Sequence, residues 1–235
     1  MISTLTSPPL IAVIPAAGVG KRMQAQCPKQ YLKINNLTIL EHTVQALLSH
    51  QQIQRVIISL GVDDPYFIQT SLPNNPCVEV VVGGKERVDS VKAGLKAITC
   101  EKYPWVLVHD AARPCLCQHD LKKLIDKCLL HNQGGILASP VQDTMKRGDG
   151  VIKQTIDRQQ LWHALTPQMF PTKQLLSAIE AAQAQNILLT DEASAIESVA
   201  GSPLLVEGRR DNIKITQPDD LTYAEFILNN RSKRK

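Results

Sequence analysis

The sequence predicts an α/β fold built on a mostly parallel, twisted sheet. Short apolar runs rich in β-branched residues alternate with segments whose apolar residues recur every three or four positions. The chain has 235 residues, 43% of them hydrophobic and 20% charged, which is enough to bury the core of one large α/β domain. Alternating strands and helices predict βαβ units, so we expect helices on both faces of the sheet, in three layers.

Five apolar runs are predicted to be the strands of this sheet. They are "LIAVI" (10–14), "RVIISL" (55–60), "VEVVV" (78–82), "WVLVH" (105–109) and "GGILASPV" (134–141). Each is almost continuously apolar, which is typical of strands that are buried on both faces. The segments between them, "TILEHTVQALLSH" (38–50), "ERVDSVKAGLKAI" (86–98) and "QHDLKKLIDKCLL" (118–130), show the periodicity of amphipathic helices.

The pattern changes after the fifth strand. Residues 143–158, "DTMKRGDGVIKQTIDR", contain two short extended pieces around "RGDG", and Asp-Gly is a strong hairpin signal. A lone two-stranded hairpin is only marginally stable, so we expect it to pack against another surface, for which a second subunit is the natural candidate. The chain then continues through "LWHALTPQMF", two helical stretches, "LLVEG", "NIKIT" and the helix "PDDLTYAEFILNN".

Three polar segments follow predicted strands directly. They are "PAAGVGKRM" (15–23), "GGKER" (83–87) and "HDAARP" (109–114). In open α/β sheets, ligands bind at the carboxyl ends of the strands, so these segments predict the site. Gly83 and Gly84 suit a tight turn against a flat base, Ser90 supplies a hydroxyl, and Asp110 suits a ribose hydroxyl or Mg²⁺.

The first polar segment is built to hold phosphate, but two familiar phosphate loops are excluded. A Walker loop requires a glycine where Pro15 stands and a Ser or Thr where Arg22 follows Lys21. A dinucleotide fingerprint requires a third glycine where Met23 stands. What remains is a glycine-rich loop whose backbone N–H groups approach an anion closely, followed by two cations.

The composition argues against several other classes of protein: nucleic-acid-binding, metal-binding, secreted and membrane proteins. The net charge of +4 comes partly from the terminal "RSKRK", and with 4% aromatic residues and no basic stripe we expect no nucleic-acid partner. The six cysteines include no C-x-x-C pair, and we interpret them as reduced cytosolic thiols rather than as a metal site, despite the close spacing of Cys115, Cys117 and His119. No signal peptide and no membrane span are expected, which predicts a cytoplasmic protein.

Taken in order, the motifs carry a family resemblance. "PAAGVGKRM…PKQYL", "GGKERVDSV", "VHDAARP", "PVQDTMKR", "DRQQLWHALTPQ", "TDEASAIE" and "VEGRRDNIKIT" together resemble the 2-C-methyl-D-erythritol 4-phosphate cytidylyltransferase family over about residues 10–226. The resemblance implies transfer of CMP from CTP to methylerythritol phosphate, with Mg²⁺ and release of pyrophosphate. It also implies a Rossmann-like nucleotidyltransferase fold in one domain (8–230) and a homodimer joined by exchanged β-hairpin arms (142–160). The basic residues 231–235 are interpreted from composition as a solvated tail.

Attack of a phosphate oxygen on the α-phosphorus of CTP brings two polyanions together. Catalysis should therefore consist mainly of charge neutralisation and in-line positioning, without a protein nucleophile. By resemblance, the catalytic cations are Arg22, Lys29, Arg158 and Lys214. By the same resemblance, the nucleotide site comprises Pro15, Ala16, Ala17, Gly18, Gly20, Gly83, Gly84, Lys85, Arg87, Ser90 and Asp110, and the acceptor site comprises Ala111, Arg113, Asp143, Thr144, Thr166 and Thr190.

Lys85 stands where the family often has an acidic residue. Lys214 alternates with Ile213 and Ile215, which predicts that it points away from the apolar face of a strand. His163, beside Trp162, is interpreted as a packed or hydrogen-bonded histidine rather than a base.

Two other functions stay open at this point. A related cytidylyltransferase for another polyol phosphate, such as ribitol 5-phosphate, shares much of the loop chemistry. The other is a nicotinamide-binding oxidoreductase or a non-catalytic nucleotide-binding module, and Met23, which stands where the third glycine is missing, argues against the cofactor fingerprint.

Overall fold

The computed structural model describes residues 8–18 and 27–232. Gly20 and Arg22, which were predicted to bind the nucleotide and to catalyse, lie outside the described residues, as does the end of the predicted basic tail (233–235).

Strands and helices alternate through most of the described chain. The strands are β1 (Leu10–Pro15), β2 (Lys33–Ile34), β3 (Leu37–Thr38), β4 (Ile53–Leu60), β5 (Val78–Val82), β6 (Trp105–Val108), β7 (Gly135–Pro140), β8 (Met145–Asp149), β9 (Val151–Ile156), β10 (Trp162–Pro171) and β11 (Leu204–Glu207). The α-helices are α1 (Ile39–Leu48), α2 (Arg87–Lys96), α3 (Gln118–His131), α4 (Thr172–Ala184), α5 (Glu192–Ser198) and α6 (Pro218–Ser232). The five predicted strands and three predicted helices are confirmed, with shifts of one or two residues at their ends.

The central sheet has the strand order β11-β7-β10-β6-β1-β4-β5. In the sheet as described, β10 runs antiparallel to β6 and β7, whereas the other neighbouring pairs are parallel. The prediction of a mostly parallel sheet is therefore confirmed. The sequence did not indicate that a later antiparallel strand separates β6 from β7.

The helices cover both faces of the sheet, as expected for three layers. Side chains alternate along β1: Leu10 packs in a cluster with α1 and α3, whereas Ile11 packs in a second cluster with α2, α4 and α5. All of β6 is buried. Two-sided burial explains why these strands are almost continuously apolar.

The prediction that β5 is buried on both faces is wrong. β5 is the edge of the sheet, and Val80 and Val82 are exposed. Its β-branched residues support an extended backbone without requiring burial, so its sequence resembles that of a central strand.

Helix α1 begins at a capping box. Thr38 Oγ1 accepts a hydrogen bond from the backbone N–H of Glu41, and Glu41 accepts one from the N–H of Thr38. The second Glu41 oxygen accepts from the N–H and the hydroxyl of Ser71, at 2.9 and 2.7 Å. Burial alone would raise the pKa of Glu41, but its hydrogen bonds to Ser71 and Thr38 outweigh burial and lower the pKa to about 2.

Strands β8 and β9 form the predicted hairpin. They pair antiparallel, and Gly150 turns the chain with a φ of +71°, a conformation that glycine adopts without strain. Most of both strands is exposed, including Val151 and Ile152. The role of this hairpin as a dimerisation arm stays a prediction.

A third apolar cluster seats α6 beside the short hairpin β2–β3. It contains Ile34, Ile39, Ile215 and Ala224.

None of the six cysteines, all of which lie in the described part of the chain, forms a disulfide bond. Across the described ranges, no helix combines the length and apolar character needed to cross a membrane.

Candidate active site

The three polar segments that follow β1, β5 and β6 lie together at the carboxyl ends of these strands. They enclose a cavity of about 240 Å³, called here the first cavity. The described residues predicted to bind the nucleotide line it, with the exception of Gly83: Pro15, Ala16, Ala17, Gly18, Gly84, Lys85, Arg87, Ser90 and Asp110. Ala111, which was predicted to bind the acceptor, also lines this cavity. The structure thus brings together segments that are far apart in sequence.

Gly83 lies behind the lining and lets two loops approach. A Cβ atom at Gly83 would lie 2.8 Å from Ser90 Oγ and 2.9 Å from Ala17 Cβ, closer than real contacts allow. The N–H of Gly84 donates to Ser90 Oγ at 3.1 Å, so Ser90 holds the turn as well as facing the cavity. The chain is irregular at residues 83–84 and bends at residues 85–86, directly before α2 begins.

The short helical turn Lys29–Tyr31 supports the glycine-rich loop. The buried amide of Gln30 donates to the carbonyl oxygens of Ala16 and Gly18, at 2.9 and 3.1 Å. Because a trans peptide points its C=O and N–H in opposite directions, fixing the Ala16 carbonyl turns the N–H of Ala17 away from Gln30. Lys29 Nζ donates to the carbonyl of Ile215 at 2.7 Å and lines the first cavity. Apart from its place in the motif "PKQYL", nothing in the sequence singled out Gln30.

A second cavity of about 240 Å³ adjoins the first. Three of the residues predicted to bind the acceptor, Arg113, Thr166 and Thr190, line it. Arg87, Asp110 and Lys214 line both cavities and therefore form the wall that the cavities share.

Asp110 lies at the centre of this wall and faces three cations. Its Oδ1 accepts from Arg87 Nε at 3.2 Å, and its Oδ2 lies 3.2 Å from Arg113 Nε and 3.0 Å from Lys214 Nζ. Burial alone would raise the pKa of Asp110, but Arg87, Lys214 and Arg113 outweigh burial and hold the pKa well below its usual range. Asp110 is therefore an anion throughout the physiological pH range.

Lys214 reaches this wall from an irregular segment. Residues 212–216 form no strand, so the predicted strand "NIKIT" is wrong. Ile215 is buried in the third apolar cluster and its N–H donates to the carbonyl of Ala112, a single contact rather than a ladder. The alternation with Ile215 nevertheless directs Lys214 toward the cavities, as its contact with Asp110 shows.

Glu192 is a site residue that the sequence analysis missed. Its carboxylate is buried and accepts from Arg87 Nη1 at 2.6 Å and from Arg87 Nη2 at 3.2 Å. Arg87 thus bridges Glu192 and Asp110. The motif "TDEASA" contained a signal, since it places the acidic residue Glu192 in the first turn of a predicted helix. The pairing of Glu192 with Arg87, more than a hundred positions away, leaves no local pattern in the sequence.

His109 was missed as well. His109 Nε2 faces the carbonyl of Arg113 at 3.1 Å, and because a carbonyl oxygen only accepts, Nε2 carries the ring proton. Nδ1 therefore accepts from the Thr166 hydroxyl at 2.8 Å, and the oxygen of that hydroxyl accepts from the backbone N–H of Asp110 at 3.1 Å. Burial lowers the pKa of His109 to about 4, so the ring is neutral at physiological pH. This chain of hydrogen bonds fixes the backbone at both ends of "HDAAR".

The structure does not bring the hairpin residues to the cavities. Within the described part of the chain, Asp143, Thr144 and Arg158 line neither cavity, and all three are exposed. Arg158 Nη1 donates to the carbonyl of Gln142 at the base of the hairpin. His163 lies on β10 opposite Ser139 and is exposed rather than packed.

A metal ion would find few protein ligands here. In residues 8–18 and 27–232, no group of three or more His, Cys, Asp or Glu side chains is arranged to hold one. Asp110 is an ionised carboxylate in the wall of both cavities, which fits a Mg²⁺ ion held mostly by substrate phosphates.

Comparison with known proteins gives a consistent result over almost the whole chain. Residues 10–230 match the family model described as IspD: 2-C-methyl-D-erythritol 4-phosphate cytidylyltransferase. A protein of that name from Colwellia psychrerythraea is 54% identical, covering 99% of this chain and 98% of its own length. One from Vibrio vulnificus is 51% identical over the full length of both chains.

Solved structures agree with these sequence matches. The crystal structure of 2-C-methyl-D-erythritol 4-phosphate cytidylyltransferase from Francisella tularensis is similar to this chain with a TM-score of 0.80 at 35% identity, covering 94% of this chain and all of the other. The enzyme of that name from Thermus thermophilus is similar with a TM-score of 0.80 at 27% identity, covering 94% of this chain and 99% of the other.

Proposed function

The chain belongs to the 2-C-methyl-D-erythritol 4-phosphate cytidylyltransferase family, and we propose that its first cavity holds CTP and its second cavity holds the acceptor phosphate. The enzyme is a nucleotidyltransferase of the non-mevalonate isoprenoid pathway that transfers CMP from CTP to 2-C-methyl-D-erythritol 4-phosphate. The shared wall of Arg87, Asp110 and Lys214 carries the proposal, because the donor and the acceptor must meet at one phosphorus atom.

The reaction needs position and charge rather than a nucleophilic side chain. An oxygen of the acceptor phosphate forms a bond to the α-phosphorus of CTP while the bond from that phosphorus to the β-phosphate oxygen breaks, and pyrophosphate leaves. We assign Lys29 and Arg22 to the negative charge that develops on the leaving pyrophosphate, and Lys214 to the acceptor phosphate. The position of Lys29 in the first cavity and of Lys214 in both supports these roles.

The remaining roles follow the same division. The loop of residues 15–18 and the turn of residues 83–85 are assigned to the nucleotide, with Gly20 completing the loop. Ser90 and the turn beside it are assigned to the cytosine. Thr166, Thr190 and Arg113 are assigned to the acceptor, and their place in the second cavity supports this.

Mg²⁺ is the proposed metal. The phosphates of CTP would hold it, with Asp110 as the protein carboxylate beside them, and it supplies neutralising charge to the triphosphate. Removing divalent cations with a chelator should abolish CMP transfer, and added Mg²⁺ should restore it. Full activity in the chelator would rule this assignment out.

A homodimer is the proposed assembly, formed by residues 8–230 as one domain with residues 142–160 as exchanged arms and 231–235 as a basic tail. Asp143, Thr144 and Arg158 are assigned to the active site of the partner subunit. These three residues line neither cavity of their own chain, and Val151 and Ile152 of the hairpin are exposed; both observations support the exchange. CTP is a cytoplasmic metabolite, which supports the cytoplasm as the proposed compartment.

Pyrophosphate release tests the assignment of the acceptor. The enzyme is supplied with CTP and Mg²⁺ and with a panel of polyol phosphates that includes methylerythritol phosphate and ribitol 5-phosphate. Turnover should be fastest with methylerythritol phosphate, and a preference for ribitol 5-phosphate would overturn the assignment. In a parallel thermal-shift assay, CTP with Mg²⁺ should raise the melting temperature and NADPH should not.

A further inference from the structure

We infer that Glu192 is a positioning residue for the transfer reaction, because it holds Arg87 in the orientation in which Arg87 fixes Asp110 between the two cavities. The inference rests on the proposed assignment of those cavities. Glu192 does not line either of them among the described residues, so it acts through Arg87 rather than on a substrate.

The three guanidinium nitrogen atoms of Arg87 each donate a hydrogen bond to a carboxylate. Nη1 and Nη2 donate to the two oxygens of Glu192, and Nε donates to Oδ1 of Asp110. A guanidinium has a rigid planar fork, so holding one edge of it fixes the direction of the other donor. Arg87 was predicted to bind the nucleotide, and it lines both cavities while three of its five N–H donors are engaged by Glu192 and Asp110.

The burial of Glu192 argues against a purely stabilising role. Its side chain is 2% exposed, and a carboxylate in that setting loses its hydration. Buried ion pairs typically gain little stability over apolar side chains of similar volume. A positional role explains the pair better, since the charge of Glu192 determines where Arg87 lies.

The pair also joins elements that serve different cavities. Arg87 is the first residue of α2, directly after the turn that lines the first cavity. Glu192 is the first residue of α5, directly after Thr190 and Asp191, which line the second. Without Glu192, the Nη groups of Arg87 are free to turn toward Asp110 Oδ2 and to displace Lys214 from it.

The test compares Glu192→Gln, Arg87→Met and the double variant with the wild-type enzyme. We measure kcat, the KM for each substrate, and the melting temperature. Glu192→Gln should lower kcat by about tenfold or more, because misplacing a group at the reacting centre is costly. The double variant should match Arg87→Met within about twofold, because Glu192 has no effect once Arg87 is gone. Arg87→Met alone should have the lowest melting temperature, since it leaves Glu192 buried and unpaired.

Glu180→Gln is the matched control. It removes a carboxylate that pairs with Lys96 at 3.3 Å, again between α2 and a later helix but on the surface. Its kcat should equal that of the wild type. If Glu192→Gln fails to fold by circular dichroism, Glu192→Asp replaces it, because the shorter carboxylate keeps the charge but shifts Arg87, and the same loss of kcat is expected.

Two results would overturn the inference. One is wild-type kcat and KM in folded Glu192→Gln or Glu192→Asp. The other is a double variant whose loss equals the product of the two single losses, which would mean that Glu192 acts independently of Arg87. Absence of CMP transfer by the wild-type enzyme is a separate outcome, and it would contradict the proposed function instead.

Discussion

Lys214 Nζ lies 3.0 Å from Asp110 Oδ2, in the wall that both cavities share. The contact keeps a flexible, half-exposed lysine at the place where the donor and the acceptor meet. A phosphate dianion bound in the second cavity would accept a hydrogen bond from the Lys214 ammonium group without requiring the side chain to move.

Lys214→Ala should therefore impair the use of the acceptor more than the binding of CTP. The loss of one charge-assisted contact to a phosphate should lower kcat/KM for methylerythritol phosphate by about 10- to 100-fold. Calorimetry should find CTP affinity within about threefold of the wild type, since a different loop holds the triphosphate. Equal losses for both ligands would place Lys214 in the nucleotide site.

Lys29→Ala should act on the chemical step. The Lys29 ammonium lines the first cavity and is held by the carbonyl of Ile215, so its position is defined before substrate binds. Its removal should cost about 2 to 4 kcal/mol of transition-state stabilisation, comparable to the loss of an oxyanion-hole donor. Steady-state kinetics measure this against Lys33→Ala, an exposed neighbour that should behave like the wild type. Near-normal turnover in folded Lys29→Ala would refute the assignment.

Gln30→Met should weaken CTP binding without changing the shape of the side chain. Methionine keeps the length of glutamine but donates no hydrogen bond to Ala16 or Gly18, so the loop loses its fixed carbonyls. The KM for CTP should rise by about tenfold or more while the KM for the acceptor changes little. Gln118→Met is the control, since Gln118 also donates its amide to a backbone carbonyl, that of Ala46, away from both cavities. A lower melting temperature with unchanged KM values would show that Gln30 serves stability alone.

Subunit mixing tests the arm exchange. Lys29→Ala and Arg158→Ala chains are each expected to be inactive. If Arg158 serves the partner's site, a mixed dimer has one site with both defects and one with neither. Random exchange gives half mixed dimers, so activity should recover to roughly a quarter of the wild type. Confirmed mixed dimers without any recovery would contradict the exchange.

Glu41 should make stability depend on pH in the acid range. Its pKa is lowered to about 2 in the folded protein, so its contribution is complete above the unfolded pKa of about 4.3 and is lost as the pH falls toward 2. Glu41→Gln should therefore lower the free energy of unfolding by about 2 kcal/mol at pH 7 and by clearly less at pH 3. Urea denaturation at both pH values measures the difference. The same loss at pH 3 and pH 7 would show that the charge of Glu41 contributes nothing.

The strands at the centre of the sheet could be predicted because burial on both faces leaves a continuous apolar pattern in the sequence. β5 has the same pattern although it is an edge strand, since β-branched residues favour an extended backbone in either place. The meeting of the polar segments that follow β1, β5 and β6 was predictable, because ligands bind at the carboxyl ends of the strands in open α/β sheets. Glu192 and His109 were not, because their roles depend on Arg87 and Thr166, which only the tertiary structure brings to them.

The place of β10 also bears on how the chain is made. β6 and β7 leave the ribosome before β10, yet in the finished sheet β10 lies between them. During synthesis, the edge of β6 that pairs with β10 in the finished sheet therefore lacks this partner for more than fifty residues, and its backbone N–H and C=O groups stay unpaired by β10 until Trp162–Pro171 has been made. A nascent chain halted near residue 160 should consequently be recognised by chaperones or aggregate, whereas one released past β10 should become resistant to protease in a single step.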